Sequence, residues 1–266
     1  MSSAKIVKNV LGQLKQTGKI VGSYPAAIDG ACGLKVDDKN YSRPSILELK
    51  SYNPTLSKAD FLGLLPQTRF SSTAVKDSAL SFEVVKMRDP RYFQFKDKYQ
   101  LVFPDYKAMR AFSRYVEFSR LDGARPNFVV GKVQHPQVRY QKYFRNLEAA
   151  FHSSDSFFQL LKNKNEEGRV PDITLDSLRQ AAKPIESKSL LVWNFPSDQL
   201  PYQIMDKFWF YDIKHCFKIY WDSDTGRTLT FMAFNSEEDC KKFNRNFHGV
   251  YFQENDDCKL LVEALT

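Results

Sequence analysis

Two stretches of seventeen residues, YQLVFPDYKAMRAFSRY (Tyr99–Tyr115) and TFMAFNSEEDCKKFNRN (Thr230–Asn246), lie against each other without a gap. Phe103 falls on Phe234 and Phe112 on Phe243. In each stretch an apolar run of strand character gives way to a capping residue, then to apolar positions at helical spacing. A chain that carries the same strand-to-helix unit twice is constrained to build one module twice.

The flanking segments extend the unit. In the second copy Ser189–Phe195 reads as a strand and Pro201–Tyr211 as a helix with Pro at its first position, its apolar face made by Ile204, Met205, Phe208 and Trp209. Cys216–Asp222 is a strand, Asp224–Gly226 a turn and Arg227–Phe234 a third strand. Ser236 caps a helix that turns Cys240, Phe243 and Phe247 inward and ends at His248-Gly249; Lys259–Leu265 is the last strand. This is the βαββαβ order of the ferredoxin-like plan. The first copy repeats it with Ser45–Pro54, Ser57–Leu65, Ser81–Asp89, the stretch from Tyr99 to Tyr115, and Asn127–Lys132.

Between the copies, Gln137–Phe151 reads as an amphipathic helix with Tyr140, Phe144, Leu147 and Phe151 on one side. Phe157–Leu161 continues helical, and Leu175–Ala182 is one more short helix before Pro184. The predicted fold is therefore α+β. Two ferredoxin-like βαββαβ modules, 44–133 and 187–266, are joined by a helical connector, 134–186, behind an N-terminal amphipathic helix and loop, 1–43.

Charge is uneven along these segments. In chain order, 1–43, 44–131, 132–186 and 187–266 carry net charges of +4, +5, +2 and −3, within a total of +8. A basic chain favours anionic partners, nucleic acid or membrane surface. The N-terminus holds four lysines and no acid before Asp29, with Val7, Val10, Leu11 and Leu14 on one helical face. That pattern suits a mitochondrial targeting helix, a membrane-surface helix or a helix docked on the protein. No apolar run is long enough for a transmembrane helix.

Catalytic and metal signatures are absent from the sequence. There is no GxGxxG, P-loop, HExxH or nucleophile elbow, so no enzyme activity, cofactor or metal is expected. The cysteines at 32, 216, 240 and 258 form no CxxC pair and read as reduced core thiols. Asp256-Asp257 is a carboxylate pair in a solvent-facing loop.

Two strands of the second copy carry a resemblance. LLVWNF (Leu190–Phe195) and RTLTFMAF (Arg227–Phe234) resemble the signature hexamer and octamer of the RNA-recognition-motif family. Those signatures work because alternate side chains on a strand share a face, where rings stack bases. Here Leu191 and Leu229 replace two stacking aromatics, and Thr228 replaces a glycine. Trp193, Tyr220 and Phe231 are expected to share one face as a relocated platform, with Lys218 and Arg227 for phosphates. The matching positions of the first copy, Glu48, Lys50 and Lys98, make no platform. Lys86, Arg88, Arg91, Lys96 and Lys98 are weaker candidates for RNA contact.

Over its whole length the chain also resembles a narrower family, the yeast mitochondrial translational activators of the cytochrome c oxidase subunit III messenger. MRDPRYFQFKDKYQLVFPDYKAM (Met87–Met109) and FWFYDIKHCFKIYWD (Phe208–Asp222) carry that likeness. It implies a mitochondrial-matrix protein peripheral to the inner membrane. It implies action on the messenger's 5′ untranslated leader with partner activator proteins, delivery to the mitoribosome, and help with splicing of a mitochondrial intron. Two function classes stay open at this level. One is an RNA-binding activator. The other is a protein scaffold whose degenerate modules bind partner proteins, with Phe208–Tyr211 as a contact.

Overall fold

Strand alternation and two helix caps build each half of the structure. The computed structural model describes residues 45–66, 81–131, 136–163, 174–252 and 259–266. The first sheet contains β1 (Ile46–Lys50), β2 (Glu83–Arg88), β3 (Phe95–Val102) and β4 (Phe128–Val130), antiparallel in the order β2-β3-β1-β4. Helices α1 (Lys58–Leu62) and α2 (Tyr106–Tyr115) cover one face. Leu47, Leu49, Tyr99 and Leu101 alternate inward beneath them and meet Phe61 and Phe112. The Asp105 carboxylate starts α2 by accepting the Ala108 amide at 2.6 Å.

The second sheet repeats the arrangement with β5 (Ser189–Trp193), β6 (Ile213–Trp221), β7 (Thr228–Phe234) and β8 (Leu261–Ala264), in the order β6-β7-β5-β8. Helices α6 (Pro201–Lys207) and α7 (Glu237–Phe247) pack on one side over Leu190, Val192, Phe195, Met232 and Phe234. The Ser236 hydroxyl caps α7, as Asp105 caps α2. Phe112 and Phe243, aligned in sequence, both lose all solvent exposure. Each half thus has the strand order and helix placement of the ferredoxin-like plan.

The connector forms α3 (Pro136–His152), α4 (Ser154–Lys162) and α5 (Leu175–Glu186). Two expectations for it need correction. The buried side of α3 centres on Tyr143, Leu147 and Ala150, with Tyr140, Phe144 and Phe151 only half-buried, because neighbours flank the helix on more than one side. Helix α5 does not stop before Pro184 but runs through it to Glu186. The proline sits in the last turn, where its missing amide costs one hydrogen bond, and Ser187 still closes the helix on the Lys183 carbonyl at 3.0 Å.

Helix α6 is shorter than the sequence suggests, ending at Lys207 rather than Tyr211. A run of four aromatics propagates a helix poorly. The chain instead turns so that Phe208 and Tyr211 reach the core while Trp209 and Phe210 point outward, 79% and 57% exposed. Trp209 therefore does not belong to the buried face. The expected N-terminal helix, Cys32, Cys258 and the Asp256-Asp257 pair lie outside the described residues. Cys216 and Cys240 are buried thiols, and burial pushes both up to about 12. Residues Arg43–Thr266 form one compact unit holding both sheets and the connector.

Candidate nucleic-acid interface

In an RNA-recognition motif the sheet face opposite the helices carries the stacking rings. In the second sheet that face presents Leu191, Trp193, Phe217, Leu229, Phe231 and Ala233, set by the pairs Leu191↔Phe231, Trp193↔Leu229 and Phe217↔Phe231. A register shift between Lys218 and Tyr220 adds a residue to β6, so Ile219 and Tyr220 both come to this side. The expected co-facing of Trp193, Tyr220 and Phe231 is thus present. The rings of Trp193 and Tyr220 meet edge to face at 6.3 Å.

The face is nevertheless closed, by the chain itself. Tyr143, Leu147 and Ala150 of α3 and Phe157 of α4 pack over it as a third core. Phe93, from the turn between β2 and β3, adds a ring from the first half, 5.6 Å from both Phe231 and Phe157. Phe231 retains no solvent exposure, so the expectation that it stacks a base is corrected. Leu191 and Leu229 stand in for stacking aromatics because this surface is packed as a hydrophobic interior.

The turn that supplies Phe93 is built for the purpose. Asp89 accepts the amides of Arg91 and Tyr92 at 2.8 and 3.0 Å, and the Phe93 amide donates to the Asp89 carbonyl at 2.8 Å. Phe93 takes a left-handed φ of 59°, a strained backbone for a bulky residue. That strain is offset by complete burial of its ring. Asn146 of α3 donates to the Pro90 carbonyl at 2.7 Å and pins the turn to the connector.

The cations expected at the interface divide. Arg88 is buried, donating to the Phe93 carbonyl at 2.8 Å, the Glu263 carboxylate at 2.8 Å and the Ala264 carbonyl at 3.0 Å. Lys86 donates to the Thr266 carbonyl at 3.1 Å, and burial lowers its ammonium to about 8. Arg88 joins β2 to β8 and Lys86 joins β2 to the residue two beyond β8, which takes Arg88 out of reach of RNA. Lys96 is paired with Asp89 at 2.9 Å and Lys98 with Glu48 at 3.0 Å. Lys218 lies on the helix side of β6, its ammonium 2.6 Å from the Ser197 carbonyl, because the bulge separates it from Tyr220. Its place beside the platform is corrected accordingly. Arg227 is exposed beyond the turn between β6 and β7.

What stays open at the rim is small. Tyr220 is 37% exposed, Trp193 is half-buried, and Tyr92 packs edge to face on Tyr220 at 5.9 Å with the Arg91 guanidinium 5.2 Å from its own ring centre. Of the expected residues, the structure gathers only Arg91, Trp193 and Tyr220. The first sheet offers no better platform. Ile46, Val85 and Gln100 on its helix-free face are buried, Glu83 pairs with Arg179 of α5, and the charge of Arg139 on α3 reaches Glu48.

The sequence is similar along its full length to two curated yeast proteins. "Protein PET54" of Saccharomyces cerevisiae is 35% identical over 290 aligned positions, covering 100% of this chain and 99% of that protein. "Protein PET54" of Saccharomyces bayanus is 34% identical over 293, covering 99% and 98%. The chain belongs to the PET54 family. The model of the PET54 N-terminal domain matches residues 43–150, which takes in the first sheet and most of α3. The matched span thus includes both the Asp89 turn and most of the helix that close the second sheet. Among solved structures, the RRM3 domain of Mip6 is similar at 24% identity and a TM-score of 0.26, covering 29% of this chain and 93% of that one. The Sxl-lethal protein/RNA complex gives 12% identity and a TM-score of 0.25, covering 84% and 99%. Strand order rather than these scores defines the fold.

One set of side chains displayed by the structure carries no strand signature in the sequence. Lys107, Arg110 and Arg114 are exposed along the outer face of α2. Their i, i+3, i+7 spacing, opposite Ala108, Met109 and Phe112, is visible in the sequence once the helix is assigned. Among the described residues, no three His, Cys, Asp or Glu side chains converge to hold a metal, and no helix is long and apolar enough to cross a membrane.

Proposed function

We propose that the protein is a messenger-specific translational activator of the mitochondrial matrix, peripheral to the inner membrane. It binds the 5′ leader of the cytochrome c oxidase subunit III messenger and, with partner activators, delivers it to the mitoribosome. Assistance to the splicing of a mitochondrial intron belongs to the same reading. The observation that carries the proposal is full-length membership of the PET54 family by a chain with two sheets in RNA-recognition-motif strand order. The basic excess of the first half and the acid-free, lysine-bearing N-terminus are in keeping with it. Fluorescence anisotropy of the full chain on leader RNA and on a scrambled control tests it. Tighter binding to the leader is expected; equal binding to both, or none, removes the messenger-specific reading.

A second reading is favoured by Trp209 and Phe210. They stand exposed beside an open groove of about 480 Å³ lined by Met205, Tyr211, Asp212, Ile213 and Asp239. On that reading the acidic second module holds a basic partner protein and the chain is a scaffold. Replacing both aromatics with Ala would then abolish capture of partner activators and leave RNA affinity unchanged.

A further inference from the structure

Helix α2 buries Ala108, Met109 and Phe112. Lys107, Arg110 and Arg114 lie on the opposite side, within an arc of about 60° and along roughly 10 Å of the axis. Phe118 follows one turn later, 75% exposed, with the Arg125 guanidinium 6.0 Å from its ring centre. Arg120 is exposed two residues beyond Phe118. Among the described residues none of these five cations has a carboxylate partner. Of the three nearby acids, Asp105 is taken by the Ala108 amide at 2.6 Å and Asp122 by the Asn53 amide at 3.0 Å, which leaves Glu117.

Helix stability accounts for Arg114, a cation in the last turn, but not for the rest of the stripe. Lys107 stands in the first turn of α2, where the helix dipole disfavours positive charge; beyond the Asp105 cap that turn contains no acid, and Arg110 lies too far from either end for the dipole to favour it. The repeat supplies an internal comparison. The aligned positions on α7 are Glu238, Lys241 and Arg245, and there Glu237 pairs with Lys241 at 2.6 Å and Glu238 with Lys242 at 3.7 Å. The same helix in the same fold is charge-neutralised in one module and left bare in the other.

We infer that this stripe is a binding surface for single-stranded RNA, its cations on successive phosphates and Phe118 as the ring on which a base stacks. The inference rests on the RNA-binding reading above and gives that function a place away from the closed sheets. Four of the five cations are Arg, whose planar fork matches paired phosphate oxygens. An exposed ring beside them suits an unstacked base. A lipid surface is the poorer match, because a membrane-surface helix must lend its apolar face to the bilayer, and α2 has committed that face to the core.

The test compares full-length wild type with Lys107→Gln/Arg110→Gln/Arg114→Gln and with Phe118→Ala, on a leader oligoribonucleotide across a salt series. Losing three phosphate contacts flattens the salt dependence by about 2 log units per log unit of salt. Losing the ring weakens binding roughly tenfold and leaves the slope in place. Melting temperatures stay at the wild-type value, since these side chains are exposed. Wild type that binds RNA while the triple variant keeps its affinity and slope overturns the stripe and spares the RNA-binding reading. Wild type that binds no RNA at low salt removes that reading and the stripe together. A triple variant that keeps RNA but loses vesicles of anionic phospholipid shows a membrane surface instead, and also overturns the proposal.

Discussion

Phe231 carries the clearest residue-level consequence. Its ring lies 5.5 Å from Phe217 and 5.6 Å from Phe93 with no surface left to solvent. Phe231→Ala should therefore cost about 3–5 kcal/mol of folding stability, readable in urea melts. A loss of RNA affinity without loss of stability would show an accessible ring instead. Lys86 gives a pH dependence. Burial, helped by the charge of neighbouring Arg88, lowers its ammonium from the ordinary 10.5 to about 8. Between those values the unfolded chain holds a proton that the folded chain lacks, so stability contributed at this site rises with pH across the window. Below pH 8 the charged form burdens the fold. Lys86→Met should be more stable than wild type at pH 7, and the gap should narrow by pH 10; a constant gap contradicts the assignment. Lys218 shows why residue roles were only partly legible in the sequence. Period-two alternation placed it with Tyr220, and a single bulged residue in β6 parts them.

At the scale of elements, the repeat was readable because both copies obey local rules: a cap, a Phe at the same place in each helix, alternating strands. The connector helices were readable from their periodicity. Their target was not, since an amphipathic helix declares that it has a partner without saying which. The aliphatic Leu191 and Leu229, in positions where stacking rings are expected, were the available signal that the face is a packed interior. Without α3 and α4, Leu191, Phe217, Leu229 and Phe231 lie open to water. A fragment of residues 187–266 should bind a hydrophobic dye and aggregate, and extending it to begin at 134 should relieve both. A soluble, dye-silent short fragment would show that the connector does not close this face.

In the whole molecule, each half contributes to the other's interior. Phe93 enters the third core from the first half, and Arg88 reaches from β2 to Glu263 and the Ala264 carbonyl on the second. Arg88→Ala removes a buried guanidinium, leaves the Phe93 and Ala264 carbonyls without its hydrogen bonds and the half-buried Glu263 without its partner, and should cost about 1–3 kcal/mol, lowering the midpoint of a single cooperative unfolding transition. Two separate transitions in the wild type would mean that the halves fold independently. The chain's own helices close the sheet where an RNA-recognition motif reads its target. Amide hydrogen exchange across β7 (Thr228–Phe234), with and without leader RNA, reads this closure strand by strand. Strong protection of β7 and of α3 is expected in the free protein, unchanged when RNA binds. Loss of protection in α3 on adding RNA, with new protection along β7, would contradict it.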